Sequence, residues 1–234
     1  MGITRLIFNI YKIMGKRIIM KLLKKCMVFA MTIVIGCCSC SCNKKKDDYL
    51  SLEDGECGIT ITDKKVIYQI QEKFDKDYYD EDDVEKQVED EVKGFVDLEG
   101  KGSAELSEFE IEDKKCHVVI TFAGIEEFAD YVNKCEKPIE EFHIYKGSYG
   151  DIDREIYGDS ENLIDEKIAT KAEFEEEPPV DSKITAVDSD SKVLVLNKAL
   201  KIKTDDKISA VSMGVVVKDD VAKTNGEMCY IVYK

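Results

Sequence analysis

Apolar and polar residues alternate with period two from residue 58 to 62 (GITIT) and again through Val66, Tyr68 and Ile70. Asp63-Lys64-Lys65 lies between the two runs. Period-two alternation on both sides of a short polar turn predicts a β-hairpin. After an acidic stretch, Val84, Val88, Val92, Phe95 and Val96 recur at the spacing of one helix face. The same order then returns. Phe109 and Ile111 alternate, Asp113-Lys114-Lys115 turns the chain, and Val118, Ile120 and Phe122 alternate. Ile125, Phe128, Tyr131 and Val132 form a second helical stripe. The two Asp-Lys-Lys turns lie fifty positions apart, and at that offset Ile59 meets Phe109, Ile61 meets Ile111, Tyr68 meets Val118 and Ile70 meets Ile120. The pattern predicts two ββα units in a ββαββα domain over 57–146, an internal repeat. Two such units lay both helices on one face of a four-stranded antiparallel sheet.

From 147 to 182 the pattern breaks. Twelve acidic residues face three basic ones, and the stretch runs into Glu-Glu-Glu-Pro-Pro. Pro178 and Pro179 favour extended chain, so these residues are expected to be an acidic linker with one short helix around 163–168. Residues 183–234 are strand-like at 193–196, 199–204, 207–212, 215–218 and 228–233, with Asp205-Asp206 and Asn225-Gly226 as turns. The fold class expected is α+β: the four-stranded domain, then a small β-rich module.

The N-terminal residues follow different rules. Residues 1–36 carry seven basic side chains and no acidic one. The apolar run CMVFAMTIVIG, from Cys26 to Gly36, follows Lys21, Lys24 and Lys25. A basic segment and an apolar run of about 7–15 residues ending at a small residue describe an export signal. A membrane-spanning helix needs about 20 apolar residues. The run closes as Val34-Ile35-Gly36-Cys37, which resembles the lipobox of bacterial lipoproteins, with Ile35 where a small residue is usual. That resemblance covers the signal segment alone. It implies that the Cys37 thiol receives a diacylglycerol and that the chain is cut before it. Residues 1–36 are then a signal peptide, residues 37–56 a polar tether, and Met20 is a sufficient start for a compact signal. Acyl chains hold such a protein on a membrane at about 0.8 kcal/mol per buried CH₂. The expected place is the extracytoplasmic face of the cell membrane, in the cell envelope.

Charge narrows the partners. Without residues 1–36, 27 basic residues stand against 49 acidic ones, a formal charge of −22. Such a surface repels nucleic acid and anionic headgroups and suits basic or hydrogen-bonding partners, whether protein, peptide or glycan. Loops that mix aromatics with acids are the candidate contacts: Tyr78 and Tyr79 beside Asp80, and Tyr145 and Tyr149 near Asp151.

Catalytic and cofactor patterns are not legible. The two histidines, His117 and His143, begin no metalloprotease helix, and no nucleophile elbow accompanies a serine. Cys116 adjoins His117, but neighbours in a strand point to opposite faces. Neither a phosphate-cradling loop nor a dinucleotide fingerprint occurs. Counted from Asp75 or from Asp151, the Gly and Glu that a Ca²⁺ loop needs at positions six and twelve are missing. Cys57, Cys116, Cys135 and Cys229 allow three complete disulfide pairings, which the sequence leaves open. The expected function is therefore a non-catalytic, lipid-anchored binding or envelope accessory module without a cofactor. The alternatives are an envelope hydrolase working through paired carboxylates and a Ca²⁺-stabilised structural module.

Overall fold

Two hairpins, each followed by a helix, come first among the described elements. In the computed structural model, residues 49–76, 80–158, 163–165, 169 and 186–234 are described. Strands β1 (Glu56–Ile61) and β2 (Val66–Lys73) precede helix α1 (Glu81–Glu99); β3 (Ala104–Glu112) and β4 (Lys115–Phe122) precede α2 (Ile125–Tyr131), which runs into one π-helical turn at Val132–Glu136. The repeat expected from the sequence is present in the register. Ile59 pairs with Tyr68 and Ile61 with Val66; fifty residues on, Phe109 pairs with Val118 and Ile111 with Cys116. The hairpins join through β2 and β4, where Tyr68 meets Ile120, Ile70 meets Val118 and Gln69 meets Val119. That set of pairs is its own image under the fifty-residue offset, so a local pseudo-twofold passes through Gln69 and Val119.

Both helices cover the same face. Phe95 of α1 packs edge-on against Phe122, and Phe128 of α2 lies against Tyr68 and Phe122 with ring centroids 5.1 and 5.7 Å apart. Tyr131 closes the group against Phe95 and Phe122. Phe95, Phe122, Phe128, Ile59 and Ile120 are fully buried, whereas Val88 and Ile111, expected in the same core, are only half-buried. Val92 and Phe95 form the buried part of the α1 stripe.

The four-stranded antiparallel sheet is one end of a larger one, extended on the β1 side alone. The first sheet is mixed and has seven strands, in the order β10 (Val216–Lys218), β11 (Val221–Lys223), β8 (Lys201–Thr204), β1, β2, β4 and β3. Strand β8 adds in parallel to the outer edge of β1, followed by β11 and β10. The reason is physical: β1 offers an unpaired backbone edge beside the buried Ile59 and Ile61, and a sheet edge of that kind is a template for another strand. The other C-terminal strands, β7 (Lys192–Leu196), β9 (Ile208–Ser212) and β12 (Cys229–Tyr233), form a second sheet with β5 (Ile144–Ser148) and β6 (Leu163–Asp165), ordered β5-β7-β12-β9-β6. About fifty residues are few for an independent core, and residues 183–234 do not close on themselves. Over Leu163–Asp165 the expected short helix is a strand instead, paired with β9, because Leu163 and Ile164 bury there.

Consecutive strands cross between the sheets. Residues 197–200 link β7 to β8, and residues 205–207 link β8 to β9. One face of the second sheet carries Val193, Val195, Ala210, Tyr230 and Val232 in a cluster with Ile152 and Leu163. By strand alternation the other face carries Leu194, Leu196 and Ile231, all fully buried. Among the described residues no helix is long and apolar enough to cross a membrane.

Candidate functional site

The edge strand β5 places the first pair of sequence candidates. Tyr145 pairs with Val195, and its hydroxyl donates to the Ser148 carbonyl at 3.0 Å. The Tyr145 phenol lies over Gly147, in the space that a Cβ at that position would take. The chain then makes a 3₁₀ turn, Tyr149–Asp151, and a four-residue helix, α3 (Arg154–Tyr157), capped by the Asp153 carboxylate, which accepts from Glu155 N. The turn is tied to the neighbouring loop by Tyr149 N donating to Ser191 O and Gly150 N to Ser189 O. The Arg154 guanidinium lies 4.8 Å from the centre of the Tyr149 ring, a cation–π contact, and Nη2 also donates to Tyr149 O.

Tyr145 and Tyr149 are therefore brought together, with Tyr157 as a third member. The Tyr145 and Tyr157 rings are 5.7 Å apart, and the Tyr157 hydroxyl donates to Ile144 O. All three rings pack against the second sheet's core cluster and stay half-buried. Burial, and then the Asp151 carboxylate, pushes the Tyr145 hydroxyl up from its ordinary value. Burial and Asp153 do the same for Tyr157. Both are neutral hydrogen-bond donors at physiological pH. The arrangement offers ring faces and carboxylates at one edge. Sequence reasoning missed Tyr157 and Arg154 because it took 147–182 as a linker. Cys37, Tyr78, Tyr79 and Met20 lie outside the described residues.

A second polar group ties the helices to the rest. Tyr68 donates to Glu136 Oε1 at 2.7 Å, and Lys198 pairs with the other Glu136 oxygen. Tyr131 donates to Glu91, whose carboxyl is pushed up by burial against the opposing pull of that bond. Burial raises the Tyr68 and Tyr131 hydroxyls well above the usual phenol range, so both are donors and not nucleophiles. The four cysteines that left three pairings open are free thiols. Burial pushes Cys57, Cys116 and Cys135 up to about 11 and Cys229 up to about 12, which suppresses the reactive thiolate. Cys116 is buried and His117 half-buried on adjacent, oppositely directed positions of β4, so the pair makes no nucleophile.

The face of the first sheet away from the helices is crossed by residues 49–52. Leu50 N donates to Gln69 Oε1 at 2.8 Å, and Gln69 Nε2 returns a bond to Leu50 O. The Tyr49 ring stands edge-on to His117, with centroids 6.1 Å apart. Lys201 donates to Ser51 O, and with Lys223 it holds the Glu56 carboxylate. Beside Tyr49, Glu108, Glu110 and His117 bring their ligand atoms within 4.8 Å of one another. No protein family, curated protein or solved structure matches this chain.

Proposed function

We propose that this chain is a lipid-anchored extracytoplasmic binding module, held on the cell membrane through Cys37 and meeting a hydrogen-bonding protein, peptide or glycan partner. The observation that carries the binding half is the group of three half-buried tyrosines, Tyr145, Tyr149 and Tyr157, beside Asp151 and Asp153. Aromatic rings give contact area at low entropic cost, and neighbouring acids orient hydroxyl, amide or cationic groups. The anchorage half rests on the sequence alone: a basic segment, an apolar run and the Gly36-Cys37 junction.

Two experiments test the two halves. Cys37→Ser is expected to move the protein from the membrane fraction to the medium, or to leave an uncleaved precursor. Processing and retention like those of the wild type would remove the anchor. For the binding half, capture from envelope extract is compared for wild type, Tyr145→Ala/Tyr149→Ala and Tyr78→Ala/Tyr79→Ala, at low and high salt. Circular dichroism serves as the fold control. Loss of a captured partner in the Tyr145/Tyr149 variant, with weaker capture as salt screens charges beyond about 8 Å, supports this surface. Capture indifferent to those changes and to salt removes it.

A further inference from the structure

We propose that Glu108, Glu110 and His117 form a binding site for a divalent transition cation, with Zn²⁺ as the reference ion. The site lies on the face of the first sheet away from the helices. Strand geometry places the three donors. Glu108 and Glu110 are two apart on β3 and share a face, His117 stands directly opposite Glu110 on β4, and Glu108 is its diagonal neighbour. Directly opposed β-carbons are about 5 Å apart and diagonal ones about 7–8 Å, within reach of long side chains.

The side chains use that reach. His117 Nδ1 lies 3.5 Å from Glu108 Oε1, and one ligand atom from each of the three residues falls within 4.8 Å of the others. Zinc–nitrogen and zinc–carboxylate bonds are about 2.0–2.2 Å, so side-chain rotation of the glutamates is enough to close the set around an ion. Glu108 and His117 are both partly shielded from solvent, and the Tyr49 ring stands against the imidazole. Among the described residues, neither glutamate has a lysine or arginine in ion-pair range. Two carboxylates converge on an imidazole at this edge.

The donor types select the ion. Imidazole suits zinc, nickel, copper and iron, whereas a hard ion such as Ca²⁺ asks for six to eight oxygens. Two carboxylates neutralise a dication, and three protein ligands leave a position open for water or a ligand group. Because β3 is the edge strand, the ion would also fasten that edge to β4, next to the point where residues 49–52 cross the sheet.

The test uses the full chain in detergent, stripped of metal and with accessible thiols blocked so that the cysteine-rich segment near Cys37 holds no ion. Zn²⁺ is titrated by calorimetry, and Co²⁺ by absorbance. One equivalent is expected at this site, with Co²⁺ bands of a nitrogen–oxygen set and no sulfur charge transfer. His117→Ala, Glu108→Gln and Glu110→Gln should each weaken binding about tenfold or more, since even supporting residues of metal sites contribute 10–100-fold. His143→Ala should leave it unchanged. The near-isosteric glutamine variants keep the sheet, which circular dichroism checks. The melting temperature should rise with Zn²⁺ in the wild type and not in Glu108→Gln/Glu110→Gln. Absence of saturable binding, binding unaltered in the double glutamine variant, or equal affinity for Ca²⁺ that ignores His117→Ala would each overturn the site.

Discussion

Gln69 is a fully buried amide on the pseudo-twofold of the two hairpins, where its counterpart is Val119. A polar side chain is tolerated there because Leu50 supplies both a donor and an acceptor. Gln69→Ala is expected to leave Leu50 N unpaired and to cost about 1–3 kcal/mol. Urea unfolding should then show a lower midpoint at constant slope. An unchanged midpoint would mean that the crossing segment contributes nothing. Glu56 illustrates the opposite balance of charge. Burial works to raise its carboxyl, but the Lys201 and Lys223 hydrogen bonds outweigh it and hold the group at about 2 against an ordinary 4.5. A depressed folded value means stability that is complete above 4.5 and is lost as pH falls toward about 2. The stability difference between wild type and Glu56→Gln should be flat above 4.5 and shrink through that window. A constant difference down to pH 2 would remove the ion pairs as its cause.

Among the elements, α1 is the one whose sequence and structure agree most closely. Asp80 accepts from Asp83 N as N-cap, Glu81, Asp82 and Asp83 fill the first turn, and Gly100 closes the helix at φ 105°. Acids at that end complement the helix dipole. Asp80→Ala should cost about 0.5–2 kcal/mol, and Phe95→Ala, which empties the aromatic group against Phe122 and Tyr131, about 3–5 kcal/mol. Equal effects of the two in thermal unfolding would contradict this ranking. The hairpin between β10 and β11 was not legible. Its turn residues Asp219 and Asp220 both take positive φ, a conformation signalled in sequence by Asn-Gly or Asp-Gly rather than Asp-Asp. Asp113 and Lys114 turn β3 into β4 in the same way, yet that hairpin was found, because longer alternating strands flank it.

At the scale of the molecule, the parallel pairing of β1 with β8 joins residues 143 positions apart, Gly58 with Lys201 through Ile61 with Thr204. It makes the N-terminal hairpins and the C-terminal strands one folding unit. Residues 49–234 form a single compact unit. Ile202, fully buried on β8, is therefore expected to matter to both sheets. Ile202→Ala should cost about 2–5 kcal/mol, and the variant should still lose far-ultraviolet and tyrosine signals in one coincident transition. Truncation after residue 182 should leave β1 unpaired at its outer edge and the chain aggregated. A folded, monomeric product would show the two ββα units to be independent.

The sequence alone determined what local periodicity can carry. Alternation and helical stripes set the two ββα units, their fifty-residue register and most C-terminal strands, because each depends on residues a few positions apart. Charge and the run ending at Cys37 set the expectation of export and anchorage. Tyr145 and Tyr149 were legible as aromatics among acids; their partners Tyr157 and Arg154 were not. Only the tertiary structure decided which sheet each C-terminal strand joins, since backbone edges and buried faces are matched over long distances and carry no local mark. It alone turned residues 163–165 into a strand. It alone set Glu108 and Glu110 beside His117, because cross-strand neighbours are chosen by register, and register is fixed when the whole sheet buries its apolar face.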